Sequence, residues 1–124
     1  MAALSVCAAS DTYTTVKTPP NLTTVKREVA PPSGDWTLYL NYTYGKNGEL
    51  KTIASEFRTF NGYDPKTEEI SSTKCERRYE VSEANQLVLK TELITDLKTK
   101  KVVQRTFWEP KVKHWMNISD LPKK

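Results

Sequence analysis

The stretch Trp36-Thr37-Leu38-Tyr39-Leu40-Asn41-Tyr42-Thr43-Tyr44 places Trp, Leu, Leu, Tyr and Tyr at its even positions. Side chains of a strand alternate between faces, and β-branched and aromatic residues fill a pleated surface well. A period of two with this composition reads as a half-buried β-strand. Gly45-Lys46-Asn47-Gly48 follows and supplies the glycines of a hairpin turn.

The chain beyond the turn repeats the pattern. Glu49 to Phe60 carries Leu50, Ile53, Ala54 and Phe57 at helical spacing, while Ile53, Ser55, Phe57 and Thr59 alternate. The tight turn before it favours a return strand. Asn61-Gly62-Tyr63-Asp64-Pro65 breaks the chain. Glu69 to Val81 reads as a strand with Thr73, Cys75, Arg77, Tyr79 and Val81 on one face. After a turn at residues 82–86, Leu87, Leu89, Thr91, Leu93, Thr95 and Leu97 alternate as another strand. Lys98 to Lys101 turns the chain again. Val102 to Trp108 reads as a strand ended by Pro110, and Val112 to Ile118 as a last short one. The expected fold is mainly β: an antiparallel meander of five to six strands forming a curled sheet, half-barrel or small sandwich. Residues 34–124 are too few for a closed eight-stranded barrel.

Gly34-Asp35-Trp36, at the head of the first of these strands, resembles the Gly-x-Trp opening of lipocalins and related calycin barrels. A lipocalin-like curled sheet implies a small-ligand carrier, with an apolar pocket lined by Trp36, Leu38 and Leu89.

Residues 1–33 differ in character. Thr14-Thr15-Val16-Lys17 recurs as Thr23-Thr24-Val25-Lys26, and the proline pairs Pro19-Pro20 and Pro31-Pro32 follow the copies. Proline fixes φ and pushes its predecessor toward extended geometry. The expectation is an extended tether over 1–33 and a single β-rich domain over 34–124. Val16, Val25 and Val29 also allow part of the tether to join a sheet edge. Residues 1–10 are small and apolar, like the tail of an export segment. Leu4-Ser5-Val6-Cys7 resembles a bacterial lipobox, with Val6 where a smaller residue is usual. Cys7 is therefore read as a lipidation point or as a disulfide partner of Cys75. Three glycosylation sequons occur, at Asn21, Asn41 and Asn117.

The inventory for catalysis is thin. One His and 2 Cys are too few for a closed Cys/His zinc site, which takes about four such ligands. Glu68 and Glu69 are neighbours and point oppositely in extended chain. Lys74, Arg77 and Arg78 make the surroundings of Cys75 electropositive enough to lower a thiol pKa, but no nucleophile motif accompanies it. No catalytic residue, metal ligand or cofactor is expected. No run reaches the ~18 apolar residues of a membrane helix.

Net charge is +4, and residues 98–124 alone carry +6. Arg105, Phe107, Trp108, Lys111, Lys113 and Trp115 form an aromatic-basic cluster there, the candidate binding site of the chain. Its odd members share a face only if Pro110 leaves the register intact. The functional expectation is a non-enzymatic exported domain, periplasmic, outer-membrane-anchored or secreted, that binds another protein or an envelope component. The alternatives are the small-ligand carrier and a binder of nucleic acid or an acidic partner through residues 98–115.

Overall fold

The computed structural model describes residues 10–18 and 22–122. Six antiparallel strands form one sheet in the order β1-β2-β3-β4-β5-β6. They are β1 Ser10–Thr18, β2 Leu22–Ala30, β3 Trp36–Tyr44, β4 Leu50–Tyr63, β5 Ile70–Val81 and β6 Leu87–Asp96. The meander is open: β1 and β6 are its two edges, and the sheet does not close into a barrel. No helix among the described residues is long and apolar enough to cross a membrane.

The alternation of β3 sets one face. Leu38, Leu40, Tyr42 and Tyr44 are buried, opposite Phe57, Ser55, Ile53 and Leu50 of β4. Val25 of β2 and Cys75 of β5 complete the same face. Thr37, Tyr39 and Asn41 point the other way, with Glu56 and Arg58 of β4 opposite Tyr39 and Thr37.

The N-terminal stretch is a correction to the tether reading. Its described part is two strands of the same sheet. The repeated tetrapeptides pair with each other: Thr14 faces Lys26, Thr15 faces Val25, Val16 faces Thr24 and Lys17 faces Thr23. An alternating Thr/Val segment offers a strand-forming surface and a row of backbone donors, and pairing satisfies them. Pro19, Pro20 and residues 1–9, Cys7 included, lie outside the described residues. Pro31 closes the turn into β3 by accepting from Gly34 N–H at 3.1 Å, with Gly34 at φ +75°.

Strand β4 runs further than the breaker at 61–65 suggests. It passes through an irregularity in its pairing between Thr59 and Gly62 and reaches Tyr63. Gly62 is needed there because a Cβ would collide with the Thr73 side chain.

The expected strands at 102–108 and 112–118 are absent. Residues 101–122 form a strap that crosses the buried face and joins the sheet's backbone ladder only at isolated bridges. It leaves β6 with Val103 N–H donating to Ile94 O at 3.0 Å. Thr106 and Tyr63 exchange both backbone bonds, at 2.8 and 2.9 Å. Its far end meets the β3–β4 hairpin, where Leu50 N–H donates to Met116 O and Ile118 N–H to Gly48 O, each at 2.8 Å. A strand must run along a neighbour to gain a ladder; this segment runs across the neighbours. It gains apolar contact instead, by laying Phe107, Val112, Trp115, Met116, Ile118 and Leu121 on the core. All six are partly buried, so each contributes less than the about 1.5–3 kcal/mol of a fully buried apolar side chain.

Candidate functional site

The strap closes the buried face with aromatic and polar locks. Phe107 stacks on Phe57 with centroids 5.8 Å apart, and Trp115 lies 5.8 Å from Tyr42 and 6.3 Å from Tyr13. Tyr42 donates its hydroxyl to Lys113 O at 2.7 Å, and Tyr44 donates to Trp115 O at 3.0 Å. Arg27 donates to both carboxylate oxygens of Asp11 at 2.9 Å and to Tyr42 Oη at 3.1 Å. Its guanidinium carbon sits 5.5 Å from the centre of the Trp115 ring. These bonds to the Arg27 cation raise its pKa, so it stays charged; burial raises that of Tyr42.

Two further ion pairs tie the strap to β5 and β6. Arg77 donates to Glu92 and Glu109, each at 2.6 Å. Arg105 pairs with Asp96 at 2.7 Å and donates to Thr73 Oγ1 at 3.1 Å. Backbone N–H groups of Thr99 and Lys98, together with Arg105, hold the Asp96 carboxyl well below the usual carboxylate range.

The aromatic-basic cluster expected at 105–115 is split by this arrangement. Arg105, Phe107 and Trp115 turn toward the sheet, while Lys111 and Lys113 are exposed and Trp108 is 67% exposed. The inward parity of 105, 107 and 109 gives way beyond Pro110 to inward Val112 and outward Lys113. Proline has interrupted the alternation that a shared face requires.

Cys75 is a free, buried thiol. The electropositive neighbours do not lower its pKa: burial pushes it up to about 11, and the Arg77 charge only partly offsets that. Desolvation of a thiolate outweighs a cation whose charge is already matched by two glutamates. Among the described residues no group of His, Cys, Asp and Glu is placed to hold a metal ion.

The residues expected to line a carrier pocket are dispersed. Leu38 is closed in the core, and Trp36 packs on Phe57 and Trp108 at 5.8 and 5.7 Å. Leu89 lies exposed on β6, three strands from β3, across about 14 Å of sheet.

Among the described residues no segment crosses the other face of the sheet. At its β3–β4 end Arg58 lies over the Tyr39 ring, 5.9 Å from the centroid, and pairs with Glu56 at 2.5 Å. Phe60, next on the same side, is 61% exposed. Asp35 O accepts from Phe60 N–H at 3.1 Å and so fixes this end. Asp35, Trp36, Thr37, Tyr39, Arg58 and Phe60 are among the residues that line a cleft of about 260 Å³ at this end.

No protein-family model, curated protein or solved structure matches the chain.

The cleft therefore stands on its own geometry. Tyr, Arg and Phe side chains held by strands present large rigid area with a charge-assisted donor among them. Such groups anchor protein–protein contacts, where Tyr, Trp and Arg carry most of the energy. Sequence reading missed Arg58 and Phe60 because nothing local says which face of β4 another segment will cover. The one available signal was the parity of Tyr39 against Leu38 and Leu40.

Proposed function

We propose that the chain is a non-enzymatic binding domain that receives a protein partner on the uncovered sheet face, at Tyr39, Arg58 and Phe60. The supporting observation is an exposed Phe60 beside a stacked Tyr39–Arg58 pair on a face the strap leaves open. Tyr42, Tyr44, Arg77 and the Arg105–Asp96 pair on the opposite face are engaged in holding the strap, which favours binding over chemistry. The small apolar residues at 1–10 support an exported domain acting outside the cytosol or at the envelope.

A photo-crosslinking amino acid at position 60, in the full chain made in its own host, tests the site. The expected result is a discrete protein adduct that disappears with Arg58→Glu and does not form from position 83. No adduct, or adducts to lipid alone, would overturn the reading. Intact mass of the same material tests export. Lipid on Cys7 or glycan at a sequon supports it, and an unmodified, reduced chain counts against it.

A second reading is contact with an acidic partner through Lys111 and Lys113 beside Trp108, favoured by the outward orientation of these three. It requires binding that weakens steeply with salt.

A further inference from the structure

We propose, resting on the reading of residues 1–10 as part of an export segment, that the end of the sheet carrying Ile70, Val102 and Trp108 lies on the surface of a lipid bilayer. These are the three most exposed large apolar side chains among the described residues: Val102 at 72%, Trp108 at 67% and Ile70 at 66%. They come from separate parts of the chain and gather at the end where the chain enters β1. Ser10 faces Ala30, and Val29 faces Leu38 one step along. Thr37 faces Arg58, Arg58 faces Lys74, Lys74 faces Thr95 and Thr95 faces Val102. Ser10 and Val102 therefore close one row that crosses the sheet from edge to edge. Ile70 faces Tyr63 beyond this row, and the Trp108 ring centre lies 5.7 Å from that of Trp36 at the head of β3.

What meets this end follows from what enters it. Residues 1–9 have no charged side chain, and Ser5 is their one polar residue. A tether over 1–33 would have held the domain clear of a membrane. With β1 starting at Ser10, only Ala8 and Ala9 separate Cys7 from the sheet. That length of chain reaches about 10 Å at most. A bilayer that takes up the apolar segment is held against this end. Tryptophan, with an apolar body and one N–H donor, suits the headgroup level. The turn between β6 and the strap adds exposed Lys98, Lys100 and Lys101 for anionic headgroups, opposed in part by Glu68 and Glu69 of the β4–β5 turn. A deformable bilayer can meet side chains spread over a sheet end, whereas a protein partner asks for one contiguous patch. Attachment through residues 1–9 makes the contact intramolecular, so a modest apolar area suffices.

The test holds the full chain, with Cys7 free, on vesicles of phosphatidylethanolamine and phosphatidylglycerol. Cys75 is buried, so a maleimide-headgroup lipid couples at Cys7. Bromine on the acyl chains quenches a tryptophan that reaches the bilayer. Wild-type emission is expected to fall, and the fall to vanish in Trp108→Phe, which retains Trp36 and Trp115. Val102→Glu and Ile70→Glu are each expected to reduce the quenching about twofold or more, because a carboxylate resists the interface. Leu89→Glu, toward the other end of β6, is expected to leave it unchanged. All three positions are exposed, and circular dichroism verifies their folding. Absence of quenching, or equal quenching in Trp108→Phe, overturns the proposal. So does a photo-crosslinker at position 108 that, in the chain's own host, captures protein instead of lipid. Lipid on Cys7 in that host together with no quenching on the vesicles leaves the export reading standing and overturns the bilayer contact alone.

Discussion

Tyr42 and Lys113, 71 residues apart, are joined by a 2.7 Å hydrogen bond from the tyrosine hydroxyl to the lysine carbonyl. The same hydroxyl accepts from Arg27 at 3.1 Å. One buried oxygen thus couples the edge hairpin, the central strand and the strap. Tyr44 repeats the device two residues on, with Trp115 O at 3.0 Å.

Removing the Tyr42 hydroxyl leaves the Lys113 carbonyl and a buried guanidinium N–H without this partner. Tyr42→Phe is expected to lose about 2–3 kcal/mol, and Tyr44→Phe, which orphans only a carbonyl, about 1 kcal/mol. Urea unfolding followed by tryptophan fluorescence measures both. Equal losses would mean that the Arg27 bond contributes nothing.

Gly62 and Gly34 separate crowding from backbone strain. A Cβ at Gly62 meets the Thr73 side chain, with Ser71 O at 3.0 Å; Gly34 has nothing within 4 Å but sits at φ +75°. Gly62→Ala is expected to cost about 2–4 kcal/mol and Gly34→Ala about 1 kcal/mol, read from thermal midpoints. The reverse order would contradict the close approach of β4 and β5.

Asp96 makes stability depend on acid. Its carboxyl is held below the range it has in the unfolded chain, chiefly by the Thr99 N–H and next by Arg105. Its contribution is therefore present above the unfolded value of about 3.9 and is lost as pH falls through that value toward the folded one. Asp96→Asn is expected to lower the midpoint at neutral pH and to flatten its fall between about pH 5 and pH 2. An unchanged acid limb would assign that fall to other carboxylates.

Cys75 is expected to resist thiol reagents in the folded state. With its pKa pushed up to about 11, roughly one molecule in a thousand is thiolate at pH 8. In a Cys7→Ser chain, maleimide labelling at pH 8 should wait for denaturant. Prompt labelling of the native chain would show that the strap opens over β5.

Much of the sheet was legible. Trp36–Tyr44 has the bounds its alternation indicates, and Cys75, Arg77 and Tyr79 share the face expected of them. Alternation is local: each residue's face follows from its neighbour's, and burial of one face selects the apolar set. Residues 10–30 were harder, because Thr and Lys mark an edge hairpin only once a partner strand is present. In β6, the extra Lys90 reverses the parity, so Leu89 and Leu93 fall on opposite faces despite even spacing. A bulge depends on the pairing partner and leaves no mark in the alternation itself.

The four strands between Trp36 and Asp96, their antiparallel order and the core face of β3 and β5 follow from the order of residues, because period-two hydrophobicity and short turns encode them locally. The path of residues 101–122, the face they leave bare and the edge that stays open were settled by packing. Those outcomes rest on contacts such as Tyr42 to Lys113 and Phe57 to Phe107, between segments whose separation in the chain carries no local signal.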